Sequence, residues 1–286
     1  MKRFDVSFLF SRKVNKFESN RQRDPNTHIL KGAEPLDLGN QASKIAILLI
    51  HGFAGCPNNF ERLPYNLTET LNTRVKALLL PGHGTHPLDF EKISTDILLD
   101  AVIEEIIKLK KQHEKLIVLG HSMGGTLATL ACVKTDFDGL ILASPYYGIT
   151  FNPKLIFPAE KWIRFLSPFV RWVFTPPSEQ PILKKEVAEN IISYHWIPVK
   201  AGLVAMELAE RAKRDSILEK IVIPTLIIHS EIDSIACPKA VKEVYEKIGS
   251  KDKTLVWLKN SDHVIFWDYD KDIVQKSIEE FIKKFI

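Results

Sequence analysis

A serine stands between two glycines at the junction of a strand pattern and a helix pattern. The apolar run Leu116–Leu119 leads directly into Gly-His-Ser-Met-Gly-Gly at residues 120–125, and small and apolar residues at helical spacing follow. The residue at the apex of so tight a turn holds a strained backbone, and side chains two positions to either side would collide with it. Gly120 and Gly124 remove those side chains. The pattern therefore predicts a strand, a sharp turn and a helix in succession, with Ser122 at the apex.

The rest of the chain alternates short apolar runs with longer helical patterns, which is typical of βαβ units and a parallel sheet. We predict strands at Ile45–Ile50, Val75–Leu80, Leu116–Leu119, Leu140–Ala143, Thr225–His229 and Thr254–Leu258. Helices are predicted near Asn58–Leu71, Glu91–His113, Gly124–Lys134, Lys239–Ile248 and Asp270–Phe285. The expected fold class is α/β, with a mostly parallel sheet covered by helices on both faces.

One stretch, residues 146–198, breaks this alternation. It holds 11 of the 27 aromatic residues of the chain and seven of its 16 prolines. An insertion with so much aromatic surface, placed where the flanking strands already complete a sheet, is typical of a cap over one end of the core. We predict a helical cap at residues 146–218 and a core formed by residues 33–145 and 219–286.

Positive charge is concentrated at the start of the chain. Residues 1–31 hold eight Lys and Arg against three Asp and Glu, and the other 255 residues sum to −1. A body of that charge offers no broad basic face, so we expect no nucleic-acid partner. Residues 1–32 are expected to form an N-terminal arm that either frays or makes a weak contact with an anionic membrane surface.

Apolar runs and cysteines bear on the compartment. The run Val6–Phe10 is shorter than the about 7 to 15 residues of a secretory signal, and Ile45–Ile50 is far shorter than the ~20 residues of a membrane span. The three cysteines have no CxxC spacing, which fits a reduced compartment better than a disulfide framework. We therefore expect a cytoplasmic protein.

A serine hydroxyl is a weak nucleophile at neutral pH, and it needs a base that is itself oriented by an acid. After a serine in such a turn, the acid and then the base follow in the chain, each on a loop after a later strand. Glu231 and Asp233 follow the strand Thr225–His229, and His263 follows Thr254–Leu258. We predict Asp233 as the acid in preference to Glu231, because it lies deeper in its loop, and His263 as the base.

Two backbone N–H groups are expected to stabilise the negative charge that develops on the carbonyl oxygen during acyl transfer. One belongs to Met123, directly after the serine, and the other to Phe53, in the turn after the first strong strand. His83 lies on a loop at the same edge of the sheet and is expected to border the site. HExxH, Walker A and GxGxxG motifs are absent from the sequence, so we expect no metal and no nucleotide cofactor.

Together these motifs resemble the bacterial carboxylesterase and monoacylglycerol lipase branch of the α/β-hydrolase superfamily. The resemblance spans about residues 33 to 284 and is carried by His-Gly-Phe-Ala-Gly at 51–55, Pro-Gly-His-Gly at 81–84, the serine motif at 120–125 and Ser-Asp-His at 261–263. It implies an α/β-hydrolase fold with a helical cap before the strand that carries the acid. The implied triad is Ser122, Asp233 and His263, with Phe53 and Met123 as the oxyanion donors.

The resemblance also implies a reaction, the cleavage of small carboxylic esters with apolar acyl chains through an acyl-enzyme on Ser122. In the cap, Trp162, Phe165 and Phe169 lie at helical spacing, and Ser167-Pro168 is able to start a fresh helix. These aromatic side chains are expected either to line a pocket for the acyl chain or to form the cap's own small core.

Two other functions stay open from the sequence. An aminopeptidase or amidase on the same fold would need an acidic cap residue to hold the substrate amine, and Glu186, Glu189 and Glu207 are available. A non-catalytic ligand receptor is disfavoured, because all three triad positions hold competent residues. A dehalogenase is excluded, because its nucleophile is a carboxylate at the position of Ser122.

Overall fold

The computed structural model describes residues 7–151 and 159–286 of the chain. The strands of this part are β1 Leu36–Gly39, β2 Ile45–Ile50, β3 Arg74–Leu78, β4 Lys115–His121, β5 Gly139–Ala143, β6 Trp172–Phe174, β7 Trp196–Pro198, β8 Thr225–Ser230 and β9 Lys253–Leu258. Its α-helices are α1 Ser7–Glu18, α2 Leu63–Leu71, α3 Pro87–Phe90, α4 Thr95–Lys110, α5 Met123–Cys132, α6 Ala159–Leu166, α7 Val199–Ala212, α8 Asp215–Leu218, α9 Pro238–Lys247 and α10 Lys271–Ile282. Short 3₁₀ helices lie at Pro57–Phe60, Pro177–Glu179, Lys185–Asn190 and Lys283–Phe285.

Seven of these strands form one sheet in the order β1-β3-β2-β4-β5-β8-β9. β1 runs antiparallel to β3, and each of the other neighbouring pairs is parallel. The carboxyl ends of parallel strands meet at one edge of a sheet, so the loops after β2, β4, β8 and β9 open on the same side. The predicted α/β class with a mostly parallel sheet is confirmed.

Each central strand contributes side chains to two hydrophobic cores, one on either face of the sheet. In β2 all six residues are buried, and successive side chains point to opposite faces. Ala46, Leu48 and Ile50 belong to the core under α4, α5, α7 and α9. Ile45, Ile47 and Leu49 belong to the core under α2 and α10. This burial on both faces explains why the strand is an uninterrupted apolar run in the sequence.

The six predicted strands are present with small shifts at their ends, and one edge strand was not predicted. β1 is four residues long and has half-buried residues alternating with exposed ones, so it lacks the apolar run that marks the central strands. Side chains hold it in place, because the Arg74 guanidinium donates to the two carboxylate oxygens of Asp37 at 2.9 and 2.8 Å.

The segment predicted as the cap contains more than helices. The fresh helix expected at Ser167-Pro168 does not form, because the chain turns there and continues into β6, which pairs antiparallel with β7. Aromatic and β-branched residues favour this ribbon. α7 then packs against α4 and α5 of the core. Residues 152–158 of the segment lie outside the described residues, and the division into core and cap stays a prediction.

The N-terminal arm is ordered where the structure describes it. Residues 7–18 form α1, in which Val14 and Glu18 are buried at 0% and 2% exposure. That part of the arm therefore packs against the rest of the protein and does not fray. Residues 1–6 lie outside the described residues. Contact of the arm with an anionic membrane surface stays a prediction. No helix in residues 7–151 and 159–286 has the length and apolar character required to cross a membrane.

Candidate active site

Ser122 occupies the sharp turn between β4 and α5, and its backbone is strained as the sequence predicts. Its φ and ψ are 52° and −119°, a combination that side-chain-bearing residues rarely adopt. The flanking glycines are required by packing. A Cβ on Gly120 would lie 2.2 Å from the carbonyl oxygen of Gly124, and a Cβ on Gly124 would lie 2.1 Å from that of Ile50. The turn therefore forms only with glycine at both positions.

A continuous chain of hydrogen bonds joins Ser122, His263 and Asp233. The hydroxyl of Ser122 lies 2.8 Å from Nε2 of His263, and Nδ1 of His263 lies 2.8 Å from Oδ2 of Asp233. With a proton on Nδ1, the imidazole donates to the carboxylate and accepts from the serine hydroxyl, the tautomer in which His263 acts as a base. The structure thus brings together the three side chains predicted to form the triad.

The Asp233 carboxylate is fixed on its other side by the backbone. Its Oδ1 accepts the N–H groups of Ile235 at 2.8 Å and Ala236 at 2.7 Å, so only Oδ2 faces the imidazole. Glu231, the other acid considered from the sequence, is exposed on the same loop. The depth of Asp233 in the loop, on which its selection rested, corresponds to 1% exposure.

Burial and the attraction between His263 and Asp233 have opposite effects on the pKa of each of these two side chains. Burial lowers the pKa of the His263 imidazole, but the adjacent Asp233 carboxylate outweighs that effect, and the pKa lies above its ordinary value. Burial raises the pKa of Asp233, and the charge and hydrogen bond of His263 bring it below its ordinary value. The carboxylate is therefore ionised at neutral pH.

The two predicted oxyanion donors lie in the turns after β2 and β4. Met123 is the first residue of α5, so its N–H has no acceptor within the helix. The N–H of Phe53 makes no hydrogen bond to any described residue. The loop around Phe53 is constrained, because Ala54 has a φ of 57° and Gly55 N–H donates to the Gly52 carbonyl at 3.3 Å.

A cavity of about 320 Å³ opens above Ser122. Its floor is formed by His121, Ser122 and His263, and one side by the loop Gly52–Gly55. The opposite walls come from the ribbon and loops of the cap segment and from the loops after β8 and β9: Val173, Thr175, Glu179, Gln180, Pro181, Ile191, Ser193, Tyr194, Ile197, Ile235 and Val264. Asn59 completes the lining. A small apolar pocket with a few polar groups is typical of a small-molecule site.

Four residues predicted to contact the substrate are absent from this lining. Trp162, Phe165 and Phe169 point outward, with 36%, 66% and 79% exposure, because the apolar stripe of α6 and the turn after it faces solvent. His83 is buried behind the site, where its ring packs on His51 and Phe90. The aromatic residues were expected either to line an acyl pocket or to form the cap's own small core, and His83 to border the site. None of the four lines this cavity, and their contact with a substrate stays a prediction.

Two residues near the triad had not been singled out as functional. His121 lies at the cavity floor with its Nε2 3.2 Å from the carbonyl oxygen of His263, and its burial lowers its pKa to about 3. The neutral ring therefore donates this hydrogen bond and supports the loop that carries the base. Its place next to Ser122 in the sequence was the available signal. The second residue is Asp268, whose carboxylate accepts the N–H of Asp262 at 2.8 Å. No sequence motif marks Asp268 as functional.

Tyr194 links the cap segment to the loops of the core. Its N–H donates to the carbonyl of Ala54 at 2.9 Å. Its hydroxyl donates to the carbonyl of Gly82 at 3.0 Å and accepts the N–H of Thr85 at 2.8 Å. The wall of the cavity is thus attached directly to the loop that contains Phe53.

Within residues 7–151 and 159–286, no three His, Cys, Asp or Glu side chains are arranged to hold a metal ion.

The sheet order, the strained serine after β4 and the loops after β8 and β9 define an α/β-hydrolase fold. The chain belongs to the serine aminopeptidase S33 family, whose model matches residues 41–270. It is similar to a thermostable monoacylglycerol lipase of Bacillus sp. (strain H-257), with 29% identity over 89% of this chain and 96% of the relative. A carboxylesterase of Bacillus subtilis (strain 168) is 22% identical over 84% of this chain and 92% of its own length.

Among solved structures, one from work on metagenome-derived lipolytic enzymes superimposes with a TM-score of 0.78 and 27% identity, and it covers 90% of this chain and 99% of the other. The predicted resemblance to the carboxylesterase and monoacylglycerol lipase branch is confirmed.

Proposed function

We propose that this chain, a carboxylic ester hydrolase, cleaves esters of a single apolar acyl chain with a small alcohol, as in a monoacylglycerol, through an acyl-enzyme on Ser122. The observation that carries the proposal is the hydrogen-bond chain from Ser122 through His263 to Asp233, opening into the cavity of about 320 Å³. The relatives named above are a monoacylglycerol lipase and a carboxylesterase, which supports the choice of substrate class.

Acylation begins when His263 Nε2 accepts the proton of the Ser122 hydroxyl and the serine oxygen attacks the ester carbonyl carbon. The carbonyl oxygen becomes negatively charged and accepts hydrogen bonds from the N–H groups of Phe53 and Met123. Asp233 keeps the imidazole in the required tautomer and stabilises its positive charge. The tetrahedral intermediate then collapses, the bond to the alcohol oxygen breaks, and the alcohol leaves with the proton from His263.

Deacylation repeats these steps with water. His263 accepts a proton from a water molecule, whose oxygen attacks the acyl carbonyl carbon bound to Ser122. Collapse of the second tetrahedral intermediate breaks the bond to the serine oxygen, which takes the proton back from His263. The carboxylic acid is released and the enzyme returns to its starting state.

The cavity walls support an apolar acyl group. Val173, Ile191, Ile197 and Ile235 contribute aliphatic side chains above the serine, and each buried methylene of a substrate gains about 0.8 kcal/mol. Thr175, Gln180 and Ser193 supply polar groups to the same cavity, which suits an ester whose alcohol part carries hydroxyl groups.

A series of p-nitrophenyl esters from acetate to palmitate, assayed beside a monoacylglycerol and a triacylglycerol, tests this proposal. We expect kcat/KM to rise with acyl length up to the limit of the cavity, and the monoacylglycerol to be hydrolysed in preference to the triacylglycerol. A preference for acetate, with no turnover of the monoacylglycerol, would contradict the proposed substrate class.

An aminopeptidase activity is the second candidate, favoured by the name of the family. The acids considered for amine binding do not lie in the cavity, since Glu186, Glu189 and Glu207 are exposed elsewhere. Glu179 lines the cavity but is exposed at its rim, where water screens its attraction for an amine. A comparison of aminoacyl p-nitroanilides with p-nitrophenyl esters separates the two functions, and we expect the esters to be the better substrates.

A further inference from the structure

The segment 12–31 of the N-terminal arm precedes the part matched by the family, which begins at residue 41. It nevertheless contacts the wall of the catalytic cavity. One face of α1 is buried, with Val14 at 0% and Glu18 at 2% exposure, whereas Arg12 and Lys16 on the other face are exposed. This amphipathic pattern means that α1 is held by specific contacts on one side.

A buried carboxylate organises two arginines at the end of α1. Glu18 forms ion pairs with Arg21, at 3.6 Å, and with Arg23. A buried carboxylate needs such partners, because an unpaired charge in the interior is strongly unfavourable. The arginines in turn donate away from the arm. Arg23 donates to the carbonyl of Thr85 in a core loop.

Arg21 donates to the cavity wall itself. Its Nη1 lies 2.9 Å from the carbonyl oxygen of Ser193, and Ser193 lines the cavity. The Ser193 hydroxyl accepts from Nε2 of Gln180 at 2.8 Å, and Gln180 also lines the cavity. The next residue, Tyr194, donates its N–H to Ala54 in the loop of the predicted oxyanion donor. The Arg21 guanidinium therefore holds the backbone at Ser193, which lines the cavity and directly precedes the residue bonded to the Phe53 loop.

An aromatic contact holds the neighbouring ribbon. The ring of Phe17 packs edge-on against His195 at 5.5 Å and against Phe174 at 5.7 Å. The carbonyl of His195 accepts the N–H of Thr175 at 2.8 Å, and Thr175 faces the cavity. The arm thus contacts β6 at Phe174 and the residue directly before β7, His195.

We propose that Arg21 is a positioning residue that fixes Ser193, and with it the wall formed by Thr175, Gln180 and Ser193, so that the N-terminal arm determines how well the cavity accepts extended esters. The inference rests on the proposed function, because it takes the cavity as the ester site. Without the guanidinium the Ser193 carbonyl loses this hydrogen bond, so the part of the wall around Ser193 is held less firmly, and a long substrate must order it again on binding. A short ester, which stays near Ser122, does not make that contact.

The test compares Arg21→Ala, Arg21→Lys and the exposed-face control Lys16→Ala on p-nitrophenyl acetate and p-nitrophenyl decanoate. We expect Arg21→Ala to raise KM for the decanoate by about 5- to 30-fold, the loss that corresponds to one hydrogen bond to a charged group. Its kcat, and its kcat/KM for the acetate, are expected to stay within about twofold of wild type. Arg21→Lys restores a donor and is expected to recover most of the KM, while Lys16→Ala matches wild type.

An unchanged KM for the decanoate in Arg21→Ala, or an equal loss on both esters, would overturn the inference. If Arg21→Ala does not fold, Phe17→Leu provides the same comparison, with a smaller rise in KM for the decanoate alone expected and an unchanged value counting against the inference. Failure of the proposed function is distinguishable, because the wild-type protein would then hydrolyse neither ester or Ser122→Ala would remain active.

Discussion

Asp262 accepts two hydrogen bonds from Ser234, one from the backbone N–H at 2.7 Å and one from the hydroxyl at 2.8 Å. Ser234 directly follows Asp233, and Asp262 directly precedes His263. The loop that carries the acid and the loop that carries the base are therefore fastened to each other one residue away from the catalytic pair.

Removal of this link is expected to misalign the base. Asp262→Ala loses both hydrogen bonds, and we expect kcat to fall by up to ~10²-fold with little change in KM, because small displacements of catalytic groups have effects of that size. Ser234→Ala keeps the backbone donor and is expected to lose less. Steady-state kinetics of both variants measure this difference, and an unaltered kcat in Asp262→Ala would show that the loops hold their positions independently.

Replacement of the nucleophile should abolish turnover. We expect Ser122→Ala to lower kcat/KM for a p-nitrophenyl ester by about 10⁴-fold or more and to prevent labelling by a fluorophosphonate. Ser144→Ala is the matched control, since Ser144 is also buried at a positive φ, of 41°, and its hydroxyl has no hydrogen-bond partner among the described residues. Equal activities of the two variants would refute the assignment of Ser122. Absence of labelling in the wild type would favour a non-catalytic receptor.

The acid limb of the pH profile should report His263. The Asp233 carboxylate raises the pKa of His263 above its ordinary value of 6.5. Below that pKa the imidazole is protonated and cannot accept the serine proton, so kcat/KM is expected to rise as the pH rises through it. Asp233→Asn leaves burial, which lowers the pKa, and should shift the limb to lower pH while kcat falls by about 10⁴-fold.

Glu231→Gln removes an exposed carboxylate from the same loop and serves as the control for that profile. We expect its acid limb to coincide with that of the wild type. The assignment of Asp233 would be contradicted by a limb that moves in Glu231→Gln and stays in place in Asp233→Asn.

Two glycine-to-alanine variants distinguish the steric effect of a new Cβ in the folded protein from its effect on the conformational entropy of the unfolded chain. The new Cβ of Gly124→Ala would meet the Ile50 carbonyl at 2.1 Å, whereas that of Gly202→Ala, in α7, would have no atom within 4 Å. We expect Gly124→Ala to lower the free energy of unfolding by about 1–3 kcal/mol or more and to lose activity. Gly202→Ala is expected to gain about 0.4–1 kcal/mol. Urea denaturation of both variants measures these changes, and equal stabilities would contradict the predicted close approach.

The aromatic residues on the outside of the cap segment should not affect hydrolysis of a dissolved ester. Phe169 is 79% exposed and does not line the cavity, so Phe169→Ser is expected to keep the wild-type KM for p-nitrophenyl butyrate. Ile197→Ala removes methyl groups from the cavity wall and is expected to raise that KM. A larger rise in KM for Phe169→Ser than for Ile197→Ala would show that the exposed aromatic residues contact the substrate.

The parts of the molecule that the sequence predicted have strong local causes. Gly120, Ser122 and Gly124 could be interpreted because a strand pattern directly precedes them and a helix pattern directly follows, the context in which glycines at that spacing indicate a sharp turn. The central strands were equally clear, because burial on both faces leaves them without polar residues. The positions of Asp233 and His263 followed once the strands before them were recognised.

The remaining features depend on contacts between distant segments. Helical spacing at Trp162 and Phe165 indicates an amphipathic α6, but the pattern does not say whether its apolar stripe faces the cavity or solvent. The ribbon of β6 and β7 pairs segments more than twenty residues apart, and its three-residue strands carry little signal. Arg21 lies 172 residues from Ser193, and nothing in the sequence near either residue indicates that they meet.

The positive φ of Ser122 also limits which side chains can serve as a nucleophile in this turn. Threonine carries the same hydroxyl, but its branched Cβ adds crowding in a backbone conformation that L-residues already tolerate poorly. Cysteine has the unbranched shape of serine and a more nucleophilic atom. Cysteine can therefore replace serine as the nucleophile in this turn, and threonine cannot. The reason is the main-chain conformation and not the reaction itself.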